Sequence, residues 1–162
     1  MELTRLGYGE PVIEHVFDGA VSGDRRLLAR AISLIEDRAE GVLAQVGHLR
    51  PRRLEGPGKP AVVGITGPPG AGKSTFVDRL ITQARAQDLK VAVVAVDPSS
   101  PFTGGSILGD RIRMDQHVED PGVFVRSLSS RGHLGGLCRA AGQVVDLFDA
   151  VGFALVLVEP VG

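Results

Sequence analysis

The sequence predicts an α/β fold: a mostly parallel, doubly wound sheet preceded by an N-terminal helical extension. Three observations carry that prediction. Val91–Val96 and Phe153–Val158 are apolar at consecutive positions, as strands are when both faces of a parallel sheet are covered. The stretches between the strand candidates have helical spacing, which gives the strand–helix alternation of βαβ units. The first fifty residues show helical spacing alone, with no strand pattern.

Residues 1–10 carry little pattern. Pro11 to Ala20 predicts a short helix with Val12, Val16 and Phe17 on one side. A clearer helix follows Ser22-Gly23-Asp24, with Leu28, Ala31, Ile32 and Ile35 at helical spacing and Ser22 or Asp24 as its N-cap. Val42, Leu43, Val46 and Leu49 outline a third helix, weakened by Gly41 and Gly47. Residues 1–50 therefore read as the helical extension. Residues 51–60 are rich in Pro and Gly without an apolar period and read as a linker. Residues 61–162 read as the α/β domain. Its strands are expected at Ala61–Ile65, Val91–Val96, Val123–Ser127 and Phe153–Val158, and its helices near Ser74–Ala86, Asp110–His117 and Gly136–Phe148.

The first βα junction has a distinctive chemistry. Gly67-Pro68-Pro69-Gly70-Ala71-Gly72-Lys73-Ser74 matches G-x-x-x-x-G-K-[ST], the phosphate-binding loop of nucleoside triphosphatases, between a strand and a helix. Glycines let several backbone N–H groups face one anion, and the helix start adds unpaired N–H groups. Lys73 supplies a mobile cation for the outer phosphates. Ser74 offers a hydroxyl to Mg²⁺, a hard cation that prefers oxygen ligands. Gly67 through Thr75 is thus the nucleotide-binding candidate: Gly67, Pro68, Pro69, Gly70, Ala71, Gly72, Lys73, Ser74 and Thr75.

Ligands of such sheets gather at the carboxyl ends of the strands. Asp97 follows Val91–Val96, and Glu159 follows Phe153–Val158. An acid ending an apolar strand downstream of a phosphate loop is the Walker B arrangement. Asp110 follows the glycine-rich run Phe102–Gly109, which has the composition of a switch loop, and begins an expected helix. The metal candidates are Ser74, Asp97, Asp110 and Glu159; the catalytic candidates are Lys73, Asp97 and Glu159. Taken singly, Asp97 also suits a turn before Pro98, and Asp110 a helix cap. A second loop, Ser129–Gly136, holds Arg131 and His133; the histidine has no paired nucleophile and reads as a loop residue.

Composition excludes several classes. The chain has 162 residues, 43% hydrophobic and 23% charged, with net charge −1, so no basic field points to nucleic acid. The basic cluster Arg50–Arg53 is short and lacks aromatics. One cysteine, Cys138, cannot form an internal disulfide, and no partner pattern marks it as a catalytic thiol. With no signal-like start and no apolar run near the length of a membrane span, the expected location is cytoplasmic.

Four segments together resemble the GTPases that accompany adenosylcobalamin-dependent acyl-CoA mutases, the MeaB/ArgK type whose human relative is MMAA. They are Gly64–Thr75, Val96–Pro101, Gly104–Met114 and Ser130–Leu137, in matching order and spacing. The resemblance implies a metallochaperone that binds GTP or GDP with Mg²⁺ and gates cobalamin loading of a methylmalonyl-CoA mutase-type partner. It places Asp97 and Asp110 in a metal-linked switch. It makes Glu159 and Gly162 an E-x-x-G element, with the Gly162 N–H sensing the γ-phosphate. Family members carry Thr where this chain has Pro160. They also continue beyond the equivalent of Gly162 with a guanine-reading motif, further strands and a dimerisation arm. Against them, this chain reads as truncated after E-x-x-G, with an incomplete sheet and weak or absent turnover. The alternatives are a non-catalytic nucleotide- or partner-binding fragment and a small-molecule or protein kinase on the same loop.

Overall fold

In the computed structural model of the chain, residues 10–53, 59–68, 70–97, 117, 119–129 and 134–160 are described. They form two compact units. The first contains the N-terminal helices together with residues 138–152; the second contains the sheet and the phosphate loop.

The first unit holds α1 (Glu10–Val21), α2 (Arg25–Glu36) and α3 (Val42–Arg53). In α1 the buried residues are Ile13, Val16, Phe17 and Ala20, an i, i+3, i+4, i+7 stripe. Val12, expected on that side, lies one position off the stripe and is exposed. In α2 the expected Leu28, Ala31, Ile32 and Ile35 are buried, and Leu34 joins them. Asp24 is the N-cap: its Oδ1 accepts from the N–H groups of Arg26 (2.8 Å) and Leu27 (3.1 Å). Ser22 instead returns its hydroxyl to the Asp18 carbonyl. Gly19 faces Leu27 across the α1–α2 contact so closely that a Cβ there would strike the leucine side chain. α2 ends with Arg38 in the left-handed region (φ 52°), closed by Ala39 N–H to Leu34 O and Arg38 N–H to Ile35 O. Val42, Val46 and Leu49 of α3 are buried, whereas Leu43 points to solvent. α3 runs to Arg53, three residues into the expected linker.

The second unit is organised on a parallel sheet of β1 (Ala61–Gly64), β2 (Val91–Asp97), β3 (Val123–Ser129) and β4 (Leu155–Pro160), ordered β1-β4-β2-β3. Helix α4 (Lys73–Arg85) links β1 to β2, and α5 (Leu134–Val151) links β3 to β4. Val91–Ala95 are buried, as the unbroken apolar run requires. The last strand lies two residues later than expected. Glu159 and Pro160 still belong to it, paired with Ala95 and Val96 of β2. Proline's φ suits extended backbone at the end of a strand. The core joins Ile65, Val77, Ile81, Ala84, Val91, Val93, Val123 and Leu157, so the i, i+4, i+7 face of α4 packs on the sheet. β1 is an edge strand, with Val62 51% and Val63 37% exposed.

Candidate phosphate-binding site

The sheet sets the site by register. Ile65 N–H donates to Val158 O at 2.8 Å, which continues the β1–β4 ladder one residue past β1 and starts the loop beside β4. Glu159 follows Val158 directly and pairs in register with Ala95, so its backbone is level with the start of the loop. Asp97 stands two residues further along β2, opposite Ser129 of β3. The ends of β1, β2 and β4 therefore come out on one edge of the sheet. Two of the expected acids and the phosphate loop share that edge. Glu159 is 9% exposed, the buried charged side chain among the described residues.

From Gly67 to Gly72 the loop reverses the chain into α4. Gly70 (φ 78°) and Gly72 (φ 84°) are in the left-handed region, and a Cβ at either would meet nothing within 4 Å. Backbone conformation, not crowding, is what demands glycine there. Ala71 N–H closes the turn onto Pro68 O at 3.2 Å. Gly72 is the N-cap of α4 and brings no side-chain acceptor, so no side chain closes the helix start. The first intrahelical bond is Phe76 N–H to Gly72 O at 2.9 Å. The N–H groups of the first turn are the donors that an α-helix leaves without intrahelical partners. Together with the positive end of the helix dipole, they form an anion receptor.

Lys73 opens α4 and folds back over the loop. Its Nζ donates to Gly67 O (2.9 Å) and Pro68 O (3.3 Å). These exposed carbonyls hold the ammonium at the mouth of the loop. Ser74 is half-buried and Thr75 exposed in the same helical turn. The donor set suits an oxyanion: backbone N–H groups, one cation and two hydroxyls.

Several expected residues lie outside this description. Pro69, Asp110, Gly162, the run Phe102–Gly109 and Arg131 with His133 are outside the described residues, as are the side chains of Asp97, Cys138 and Pro160. Among the described residues, no group of three His, Cys, Asp or Glu side chains forms a metal cage. Ser74 and Glu159 are the described members of the expected Mg²⁺ set. Both are oxygen donors, as that ion prefers.

The sequence reading missed a polar seam behind the site. Arg85, at the end of α4, donates from Nε to Asp120 Oδ2 at 2.9 Å and from Nη1 to Leu89 O at 2.9 Å. Asp120 Oδ1 accepts from Gly122 N–H at 2.7 Å. The Arg85 guanidinium lies where a Cβ of Gly122 would be. One stretch up the helix, His117 Nε2 meets Asp78 Oδ1 at 2.8 Å. The Arg85 hydrogen bond, helped by the Gly122 N–H, holds the Asp120 carboxyl below the usual carboxylate range. The same bond raises the Arg85 guanidinium, against the opposing effect of burial. The available signal was the seven-residue spacing of Asp78 and Arg85, which puts both on one helical face.

Comparison with known proteins gives the site a context. The family model described as methylmalonyl-CoA mutase-associated GTPase MeaB matches residues 28–162. A Pyrococcus abyssi protein described as a GTPase is 48% identical over 151 residues, covering 93% of this chain and 45% of the relative. GTPase ArgK of Escherichia coli is 44% identical over 140 residues, covering 86% of this chain and 42% of its own. The crystal structure of an LAO/AO transport system kinase aligns over 96% of this chain and 45% of that one, with 30% identity and a TM-score of 0.63. The chain thus spans somewhat under half the length of these relatives. No helix among the described residues is long and apolar enough to cross a membrane.

Proposed function

The chain belongs to the MeaB family of methylmalonyl-CoA mutase-associated GTPases, and from that premise we propose that it carries the phosphate half of a GTP-dependent switch serving an adenosylcobalamin-dependent acyl-CoA mutase. The observation that carries this reading is the loop itself. A helix start without a side-chain cap, two left-handed glycines and the Lys73 ammonium converge at the strand ends, beside Glu159. The ligand is GTP, exchanged for GDP, with Mg²⁺ held by Ser74, Asp97, Asp110 and Glu159. The family description supports the guanine nucleotide and the mutase as partner.

The chemistry follows from what these groups do. The first-turn N–H groups of α4 bind phosphate oxygens and fix their orientation. Lys73 exchanges two carbonyl acceptors for phosphate oxygens, at little cost because those carbonyls are exposed to water. Its charge then opposes the negative charge that develops on the transferred phosphoryl group during in-line attack by water. Mg²⁺, which Ser74, Asp97, Asp110 and Glu159 would hold, would supply further neutralisation of phosphate charge. Glu159, on a strand end beside the loop, would orient water around that ion. Gly162, three residues on, supplies the N–H that senses the γ-phosphate.

Titration with fluorescent GTP and ATP analogues, followed by single-turnover hydrolysis, tests this reading. Mg²⁺-dependent GTP binding with at most weak turnover above buffer is the expected result. No binding of either nucleotide at millimolar concentration would overturn it. Binding without turnover would leave a nucleotide-dependent binding module and remove Lys73, Asp97 and Glu159 as catalytic groups.

A further inference from the structure

We infer that Asp78, His117, Arg85 and Asp120 are positioning residues for the phosphate site: their two links set the axial register of α4 and so the height of its first turn at the strand ends. The inference rests on the nucleotide-binding reading above, but its starting point is the packing of α4.

The buried face of α4 consists of Val77, Ile81 and Ala84. Such a face gives strong but non-directional adhesion to the sheet. Its three buried side chains, Val77, Ile81 and Ala84, bring no directional bond that names one axial position. A phosphate receptor needs one, because its donors must reach particular oxygens at hydrogen-bond distance. Something directional has to specify where the helix stops.

The polar seam has the required geometry. Asp78 and Arg85 are seven residues apart, so they share a face and lie about 10 Å apart along the axis. Each meets a different residue of the short segment that leads into β3: His117 at 2.8 Å and Asp120 at 2.9 Å. That segment is itself fixed to the sheet. Val91 N–H of β2 donates to Gly122 O at 2.8 Å, and Gly122 N–H donates to the Asp120 carboxylate at 2.7 Å. Attachment at two separated points resists both translation and rotation, which a single point cannot do. His117 and Asp78 are 13% and 26% exposed, and Arg85 and Asp120 21% and 28%, so both links are partly shielded from water. Asp78 is five residues from Lys73, about 7.5 Å along the helix. The upper link therefore acts close to the turn that carries the phosphate donors.

The experiment compares His117→Ala, Asp78→Ala, the double variant and His117→Gln, whose amide nitrogen can replace Nε2 as a donor. Hydrogen exchange without nucleotide reads the amides of Phe76 and Val77 at the start of α4 against those of Thr82 to Arg85. Titration with a fluorescent GTP analogue reads the site. Each alanine variant should speed exchange at Phe76 and Val77 about fivefold to tenfold and weaken GTP binding by a similar factor, as expected for one lost hydrogen bond. The double variant should be no worse than the singles, because the two residues act as one link. His117→Gln should recover wild-type values within about twofold. A fall in thermal midpoint with unchanged exchange at Phe76 and Val77 and unchanged affinity would overturn the inference, leaving a link that only stabilises. If the alanine variants do not fold, His117→Gln against His117→Phe, which keeps a ring but no ring nitrogen, decides the matter by the same two readouts. Should wild-type protein bind no nucleotide, the proposed function fails, while the exchange measurement still tests the register.

Discussion

Lys73→Ala separates the binding role of the lysine from any structural one. In the unliganded loop its ammonium rests on Gly67 O at 2.9 Å and Pro68 O at 3.3 Å. Both acceptors are exposed, so water replaces the lost donor, and stability without nucleotide should change by less than about 0.5 kcal/mol. Phosphate binding is different. A charge-assisted hydrogen bond to an ionised acceptor contributes about 1.5–3 kcal/mol, so GTP affinity should fall about 10- to 150-fold. The two effects appear together in a thermal-shift titration. At a concentration 100 times the wild-type Kd, ligand stabilises wild type by about 2.7 kcal/mol. At that same concentration, the variant with a 100-fold weaker Kd gains only about 0.4 kcal/mol. Unliganded midpoints should coincide within about 2 °C. Equal affinities for the two proteins would refute the placement of Lys73 on phosphate. A large drop in the unliganded midpoint would show that the lysine holds the loop together, contrary to the exposure of its acceptors.

Leu157→Ala removes a fully buried residue from the central strand β4 and should cost about 2–5 kcal/mol in chemical denaturation, whereas Val62→Ala on the exposed edge strand should cost under about 1 kcal/mol. Arg38→Gly relieves a left-handed non-glycine residue at the end of α2 and should raise the thermal midpoint, by up to about 1 kcal/mol of stability. Asp120 has a folded pKa below its unfolded one, so at low pH the unfolded chain binds the proton more readily. Its contribution is full above the ordinary carboxylate range and is lost as pH falls through the depressed folded value. Because both partners of the Arg85 link are partly exposed, that contribution is about 1 kcal/mol. Asp120→Asn should therefore be less stable than wild type at pH 7, and the gap should close below about pH 4, as followed by denaturant midpoints across pH.

What was legible in the sequence was what local chemistry encodes. The loop from Gly67 to Ser74 is contiguous, and each residue type answers a backbone or charge requirement within a few residues of itself. Asp24 was readable as a cap for the same reason, since its acceptors are two and three residues away. The buried run Val91–Ala95 was legible because burial on both faces suppresses alternation. Errors came where position around a helix or along a strand depends on its neighbours. Val12 and Leu43 are as apolar as the residues beside them, and only the packing of α1, α2 and α3 decides that they face water. The end of β4 moved two residues because β2 continues to offer partners through Ala95 and Val96.

Edge position explains the remaining difference in β1. Its Ala61-Val62-Val63-Gly64 sequence has the apolar character of β2, yet Val62 and Val63, on opposite faces of the sheet, are both exposed. Among the described residues, the equivalent run in β2 is flanked by β3 and β4, while β1 pairs with β4 alone. An apolar run states that a strand can be covered on both faces; it does not say which neighbours do the covering. The seam behind α4 illustrates the same limit in polar chemistry. Asp78 and His117 are thirty-nine residues apart in sequence, and neither belongs to a recognisable motif. Their pairing exists only because β2 and β3 align in register and bring the segment entering β3 beside α4. Motifs can therefore nominate the groups proposed to touch phosphate, whereas the groups proposed to hold those contacts at the right height emerge from the sheet topology.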